Sequence, residues 1–103
     1  MATTAAALAE RIDASLKEIA AEAAFLPDLA AGWQNEDHVN RDVWYLEWRE
    51  LMGRLAGLHR KYRACYMNPH QREHYRALRR LLRDRLPILH ALDLPLPPVS
   101  LDD

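Results

Sequence analysis

Apolar residues recur at steps of three and four along the first part of the chain, the spacing of one face of an α-helix. This stripe runs from Leu8 to Leu26, and most of the charged residues in the same stretch lie off it. The pattern predicts a first amphipathic helix from about Thr4 to Leu26. We expect Pro27 to end it, because proline lacks a backbone N–H donor and clashes with the preceding turn.

The most regular pattern in the chain is a seam of apolar residues at alternating spacings of four and three, typical of a long packed helix. The seam consists of Trp44, Trp48, Leu51, Leu55, Leu58, Tyr62 and Cys65. The opposite side of the same helix carries Val39, Val43, Leu46, Gly53 and Gly57. We predict a second helix from Glu36 to about Cys65, capped by Asn35, with Cys65 buried at the end of the seam.

A third helix is predicted to begin at Asn68, with Pro69 at its first position and Gln71 placed for a reciprocal capping bond. Pro87 is expected to disturb this helix between Arg83 and Ile88.

These patterns together predict an all-α fold, a three-helix bundle built on the long antiparallel helical hairpin of helices two and three. The bundle domain is expected to span residues 1–93, followed by a Pro-rich extended tail over residues 94–103. Cys65 is the sole cysteine, which excludes a disulfide within the chain. No uncharged apolar stretch approaches the ~18 residues that cross a bilayer, and no secretion signal is recognisable, so a cytoplasmic protein is expected.

Charge is unevenly distributed along the chain, although the formal net charge is only −1. The segment 54–85 contains ten basic residues and two acidic ones, whereas segment 1–53 contains four basic residues and ten acidic ones. Folding helix three back along helix two places Arg83 and Arg85 near Glu47 and Glu50. The remaining cations gather at the turn between the two helices, where no such neighbours are expected.

This hairpin tip, with its tyrosines, is the predicted binding surface for a partner. The candidate residues are Arg60, Lys61, Tyr62, Arg63, Arg72, Tyr75, Arg76 and Arg79. The favoured function is a non-enzymatic interaction or assembly module that forms an antiparallel homodimer. The tip of one copy would then lie beside the acidic end of the other, whose residues are Glu22, Asp28, Glu36, Asp37 and Asp42.

Two other functions compete with this interpretation. The same arginines and tyrosines suit a nucleic-acid-binding accessory protein, with arginine for phosphate and tyrosine for stacking. His70, Glu73 and His74 repeat the spacing of a zinc-protease motif, but the chain offers no domain to form a substrate cleft. His70 and His74, with His59 and Cys65 near the same tip, remain only as candidates for a small zinc site. No cofactor motif is present.

Overall fold

The computed structural model describes residues 4–102, and within that range it contains helices and no strand. The elements are α1 (Thr4–Gly32), a 3-10 turn (Trp33–Asn35), α2 (His38–Arg63) and α3 (Pro69–Leu92). The predicted all-helical, three-helix architecture is therefore confirmed. The most extensive packing is between α1 and α3, and not between α2 and α3 as a bundle built on their hairpin implies.

Helix α1 continues through Pro27 to Gly32, so the prediction that Pro27 ends it is wrong. The apolar stripe persists past the proline, with Leu26 and Leu29 both buried, and this burial favours the helix over a break. Proline cannot donate to the carbonyl four residues earlier, which is that of Ala23. Arg85 of α3 supplies the missing donor, its Nε lying 3.0 Å from the Ala23 oxygen.

Helix α2 begins at His38, and its N-cap is Asp37 rather than the predicted Asn35. Asp37 accepts from the Asn40 amide at 2.8 Å. Asn35 instead closes the 3-10 turn, which Arg41 fastens to α2 by donating twice to the Trp33 carbonyl, at 2.7 and 3.1 Å. Helix α2 begins later than predicted because Asn35, its expected cap, and Glu36, its expected first residue, form the end of the 3-10 turn.

At its other end, α2 stops at Arg63 and the chain reverses in a left-handed step at Cys65, with φ of 65°. The Tyr66 amide donates to the Lys61 carbonyl and the Cys65 amide to that of Tyr62, the hydrogen bonds of a Schellman cap. Cys65 is consequently exposed, and its predicted burial at the end of the seam is wrong.

Helix α3 starts as predicted. The Asn68 side chain accepts from the Gln71 backbone N–H at 2.8 Å, and the Gln71 side chain accepts from the Asn68 backbone N–H at 3.0 Å. The Gln71 side-chain amide also donates to the Ala9 carbonyl and to Asp13 Oδ1, which ties the start of α3 to α1. The helix then runs unbroken through Pro87 to Leu92, so the expected disturbance does not interrupt it.

The C-terminal tail, which follows α3, contacts both α2 and α3. Leu94 is buried, and the Pro95 carbonyl accepts from Trp48 Nε1 of α2 at 2.7 Å. Further along, the Leu101 carbonyl accepts from Arg83 of α3, and the Asp102 carboxylate lies 3.9 Å from the same guanidinium. The tail thus occupies the α2–α3 side of the bundle, and Val99 and Leu101 pack against the core there.

The positions of Arg83 and Arg85 differ from those predicted. Neither forms an ion pair with Glu47 or Glu50 in the described part of the chain. Arg83 binds the tail and Arg85 binds α1. The prediction is wrong because it took α2 as the main neighbour of α3, whereas α3 packs most extensively against α1.

Candidate binding surface at the α2–α3 turn

The predicted tip is organised around two tyrosine rings, one from each helix. Tyr62 of α2 and Tyr75 of α3 have ring centroids 4.8 Å apart with planes inclined by 44°. Tyr75 is fully buried, and its hydroxyl lies 2.7 Å from Nδ1 of His59. The turn is therefore held by an aromatic contact and a partly buried hydrogen bond between α2 and α3.

Three arginines of α3 surround the Tyr62 ring. The guanidinium carbons of Arg72 and Arg79 lie 5.0 and 5.1 Å from its centroid, within the range of cation–π attraction. Arg76 Nε donates to the Tyr62 hydroxyl at 3.3 Å. Arg79 also lies 5.3 Å from the centroid of Tyr75. The aromatic faces thus position guanidinium groups that repel one another in the same small region.

The ionisation of these groups reflects their surroundings. The hydrogen bond from Arg76 lowers the pKa of Tyr62, with the charges of Arg76, Arg79 and Arg72 acting in the same direction. Burial raises the pKa of Tyr75 to about 12. Burial also lowers the pKa of His59, and the nearby charges of Arg79 and Arg63 lower it further. The arginine charges thus favour the ionised form of Tyr62 and the neutral form of His59, in addition to the larger effects of the hydrogen bond and of burial.

The structure assigns the predicted site residues to two layers. Tyr75 and Arg79 are buried, with 0% and 5% of their surface exposed, so they can support the surface but cannot contact a partner directly. The accessible layer is formed by Arg60, Lys61, Tyr62, Arg63, Arg72 and Arg76. Sequence reasoning placed all eight residues at the tip but did not separate these layers.

Two features of the tip were missed or misassigned from sequence. His59 was considered only as a metal ligand, although its position one turn before Tyr62 puts it on the same helix face and close to Tyr75. Tyr66, a further tyrosine that the sequence places at the tip, is 65% exposed and stacks on neither Tyr62 nor Tyr75. The left-handed Cys65 directs the chain away from the cluster, which explains why Tyr66 remains accessible.

The histidine candidates lie apart from this cluster. The rings of His70 and His74 are 4.2 Å apart, and both line a mainly apolar groove of about 730 Å³ between α1 and α3. Within residues 4–102, no three or more His, Cys, Asp or Glu side chains come together as a metal site would require. His59 is bound to Tyr75 and does not join the pair.

Acidic side chains gather in a second groove, between α1 and α2. Glu18, Glu22, Glu47 and Glu50 line a groove of about 290 Å³ between α1 and α2, together with Arg54. Arg54 pairs with Glu18 at 2.8 Å. Burial raises the pKa of Glu22, and the neighbouring charges of Glu47 and Glu18 raise it further. The two halves of the chain thus present surfaces of opposite charge.

No protein-family model, curated protein or solved structure matches this chain with significance. Across residues 4–102, none of the helices combines the length and apolar character that crossing a bilayer demands.

Proposed function

We propose that this chain is a non-enzymatic interaction module that acts as a homodimer, with the basic hairpin tip as its charged contact surface. The observation that carries the proposal is the placement of the half-buried Arg72 and Arg76 at the Tyr62 ring and hydroxyl, with the buried Arg79 packed against the same ring. Guanidinium groups held in advance lose less conformational entropy when they bind a carboxylate. The tip is therefore suited to recognise an anionic surface.

The accessible cations next to this cluster lead to the same conclusion. Arg60, Lys61 and Arg63 form no ion pair with any residue of the described range 4–102. A concentration of like charge raises the free energy of the isolated chain and is relieved by an oppositely charged partner. The acidic end of a second copy, near Glu36 and Asp37, provides such a partner in an antiparallel dimer.

Sedimentation equilibrium at several salt concentrations tests this proposal. We expect the wild-type chain to dimerise at micromolar concentration and to dissociate as salt rises, because screening weakens exposed charge pairs. Arg60→Glu should weaken the dimer by about tenfold or more. Arg80→Glu, the same change at an exposed position of α3 away from the turn, is the matched control. A wild-type chain that stays monomeric at high concentration and low salt would overturn the proposal.

Nucleic-acid binding is the second candidate, favoured by the exposure of Tyr66 beside Arg63. An accessible aromatic ring among cations is what single-stranded nucleic acids use for stacking and phosphate contacts. The test is a salt titration of binding to a generic single-stranded oligonucleotide. Tyr66→Ala should weaken binding at least about fivefold, whereas Tyr45→Ala, at another exposed tyrosine outside the tip, should not. Absence of binding at low salt would exclude this function.

A further inference from the structure

We infer that the outer face of α2 is the seam of the homodimer and that it packs antiparallel against the same face of a second copy. This inference rests on the proposed homodimer and specifies the surface that forms it. The outer face is defined here as Val39, Val43, Leu46, Glu50, Gly53 and Gly57.

Helix periodicity separates the outer face from the side of α2 that is already buried. The core side carries Trp48, Leu51, Leu55 and Leu58, all buried. At about 100° per residue, the outer face points in the opposite direction. Apart from Glu50, the outer face is apolar or small, and a helix with two such faces is typical of one with packing partners on two sides. The single chain covers only one of them.

The apolar side chains of the outer face are exposed in the single chain. Val39, Val43 and Leu46 have 56%, 47% and 58% of their surface accessible. They follow one another at spacings of four and three and so form one contiguous strip rather than scattered residues. A strip of this kind on a helix otherwise held in a bundle indicates a contact that the single chain does not make.

The two glycines extend this strip as a shallow depression. A Cβ atom added at Gly53 would meet nothing within 4 Å, and one at Gly57 would touch only the end of the Arg60 side chain, at 3.7 Å. Neither glycine is therefore required by the packing of the single chain, although each lowers the stability of an exposed helix. Their spacing of four residues lets the backbone of another helix approach closely at this point.

Charge determines the orientation of the second copy. The outer face is flanked by Glu36 and Asp42 towards its N-terminal end and by Arg60 and Lys61 towards its C-terminal end. A parallel pair would put like charges together at both ends, whereas an antiparallel pair puts opposite charges together. A twofold axis satisfies both ends at once, because each copy contributes one acidic and one basic end.

The same orientation matches large residues to small ones. When the two α2 helices cross near Leu46 and Glu50, equal rise along each helix places Val39 of one copy opposite Gly57 of the other. Val43 then lies opposite Gly53. The valines fill the depression that the glycines leave, and the axes can approach to the closer end of the usual 8–10 Å range, about 8 Å.

Gly53→Met separates a role in the seam from a role in the fold. We expect this variant to be at least as stable as wild type as a monomer, since it replaces a helical glycine at an open position. Dimer association should weaken by about tenfold or more because the larger side chain blocks close approach. Ala14→Met, at an exposed position of α1, is the matched control and should leave the dimer unchanged.

Disulfide cross-linking tests the orientation. In a Cys65→Ser background, Val39→Cys combined with Gly57→Cys should give covalent dimers on mild oxidation, because the paired positions meet across an antiparallel seam. Val39→Cys alone should give few. Efficient cross-linking by Val39→Cys alone would indicate a parallel seam and overturn the inference.

The two proposals fail in different ways. A wild-type chain that is monomeric would overturn both the homodimer and its seam. A wild-type dimer that Gly53→Met and Leu46→Glu leave intact would overturn the seam alone. In that case Arg60→Glu still reports whether the tip forms the dimer contact.

Discussion

Nε of Arg85, on α3, donates a hydrogen bond to the carbonyl oxygen of Ala23, on α1, at 3.0 Å. That carbonyl is the one that Pro27 deprives of its helical donor. A residue 62 positions away in the sequence thus completes the hydrogen bonding of α1 and allows the helix to continue past a proline.

Substitution of Arg85 should therefore have an effect that depends on Pro27. We expect Arg85→Met to lower the free energy of unfolding by about 1–3 kcal/mol, because the Ala23 carbonyl loses its partner at a partly buried position. In the P27A background the same substitution should cost much less, since the backbone N–H at position 27 then supplies the bond. Urea denaturation of the four proteins gives the coupling, and additive effects would contradict this account.

We predict that replacing Gln71 by glutamate, which has nearly the same shape, destabilises the fold. Gln71→Glu keeps the side-chain oxygen that accepts from the Asn68 backbone N–H but removes the donor to the Ala9 carbonyl. It also places a carboxylate beside Asp13 Oδ1, which in the wild-type chain lies 2.9 Å from the Gln71 amide nitrogen. We expect a loss of about 2–3 kcal/mol in the free energy of unfolding at neutral pH.

Two further variants identify the cause of that loss. Adding D13N to Q71E should recover much of the stability, because an amide can donate to the introduced carboxylate. Gln34→Glu, the same change at an exposed position, should fall within about 0.5 kcal/mol of wild type. Thermal or urea unfolding measures all of these, and a Q71E chain as stable as wild type would show that the link to α1 contributes little.

The C-terminal tail is predicted to contribute to the core. A chain truncated after Asp93 loses the burial of Leu94 and leaves the Trp48 indole N–H without its Pro95 acceptor. We expect a loss of about 2–4 kcal/mol and a red shift of tryptophan emission in the folded state. Leu96→Ala, in the tail but 47% exposed, is the control and should change stability by less than about 0.5 kcal/mol.

The lowered pKa of His59 predicts a pH dependence of stability. The folded chain releases the His59 proton at a pH where the unfolded chain still holds it, so protons favour the unfolded state. The free energy of unfolding should consequently fall as the pH decreases from about 7.5 to about 5.5, below the ordinary histidine pKa. Glu22, whose pKa is raised mainly by burial, acts in the opposite direction, because its protonation favours the folded chain.

His59→Gln should reduce this slope, because glutamine does not titrate but can still bond to the Tyr75 hydroxyl. Tyr75→Phe, by comparison, should lower stability at every pH and retain the slope. Urea denaturation at several pH values distinguishes the two variants. An unchanged slope in His59→Gln would show that another group causes the pH dependence.

Much of the candidate site was predictable because its members come from one turn. The capped start of α3 follows the end of α2 after only a few residues. Tyr62, Arg72 and Arg76 therefore lie near one another however the remaining helix packs. The burial of Tyr75 and Arg79 was not predictable in the same way. It depends on the orientation of α3 about its own axis relative to α1 and α2. The sequence pattern identifies the side of α3 that is buried but not this orientation.

The features that could be predicted from the residues alone are local. The three helices and the capping box of Asn68 and Gln71 follow from spacing, side-chain hydrogen bonds and burial over a few residues. Three other features became visible only in the folded chain: the continuation of α1 through Pro27, the path of the tail across Trp48 and the partners of Arg83. Each of these depends on a hydrogen bond or contact between distant segments. Such a contact can outweigh a local conformational preference of about a few kcal/mol, and the residue pattern of a single segment does not predict it.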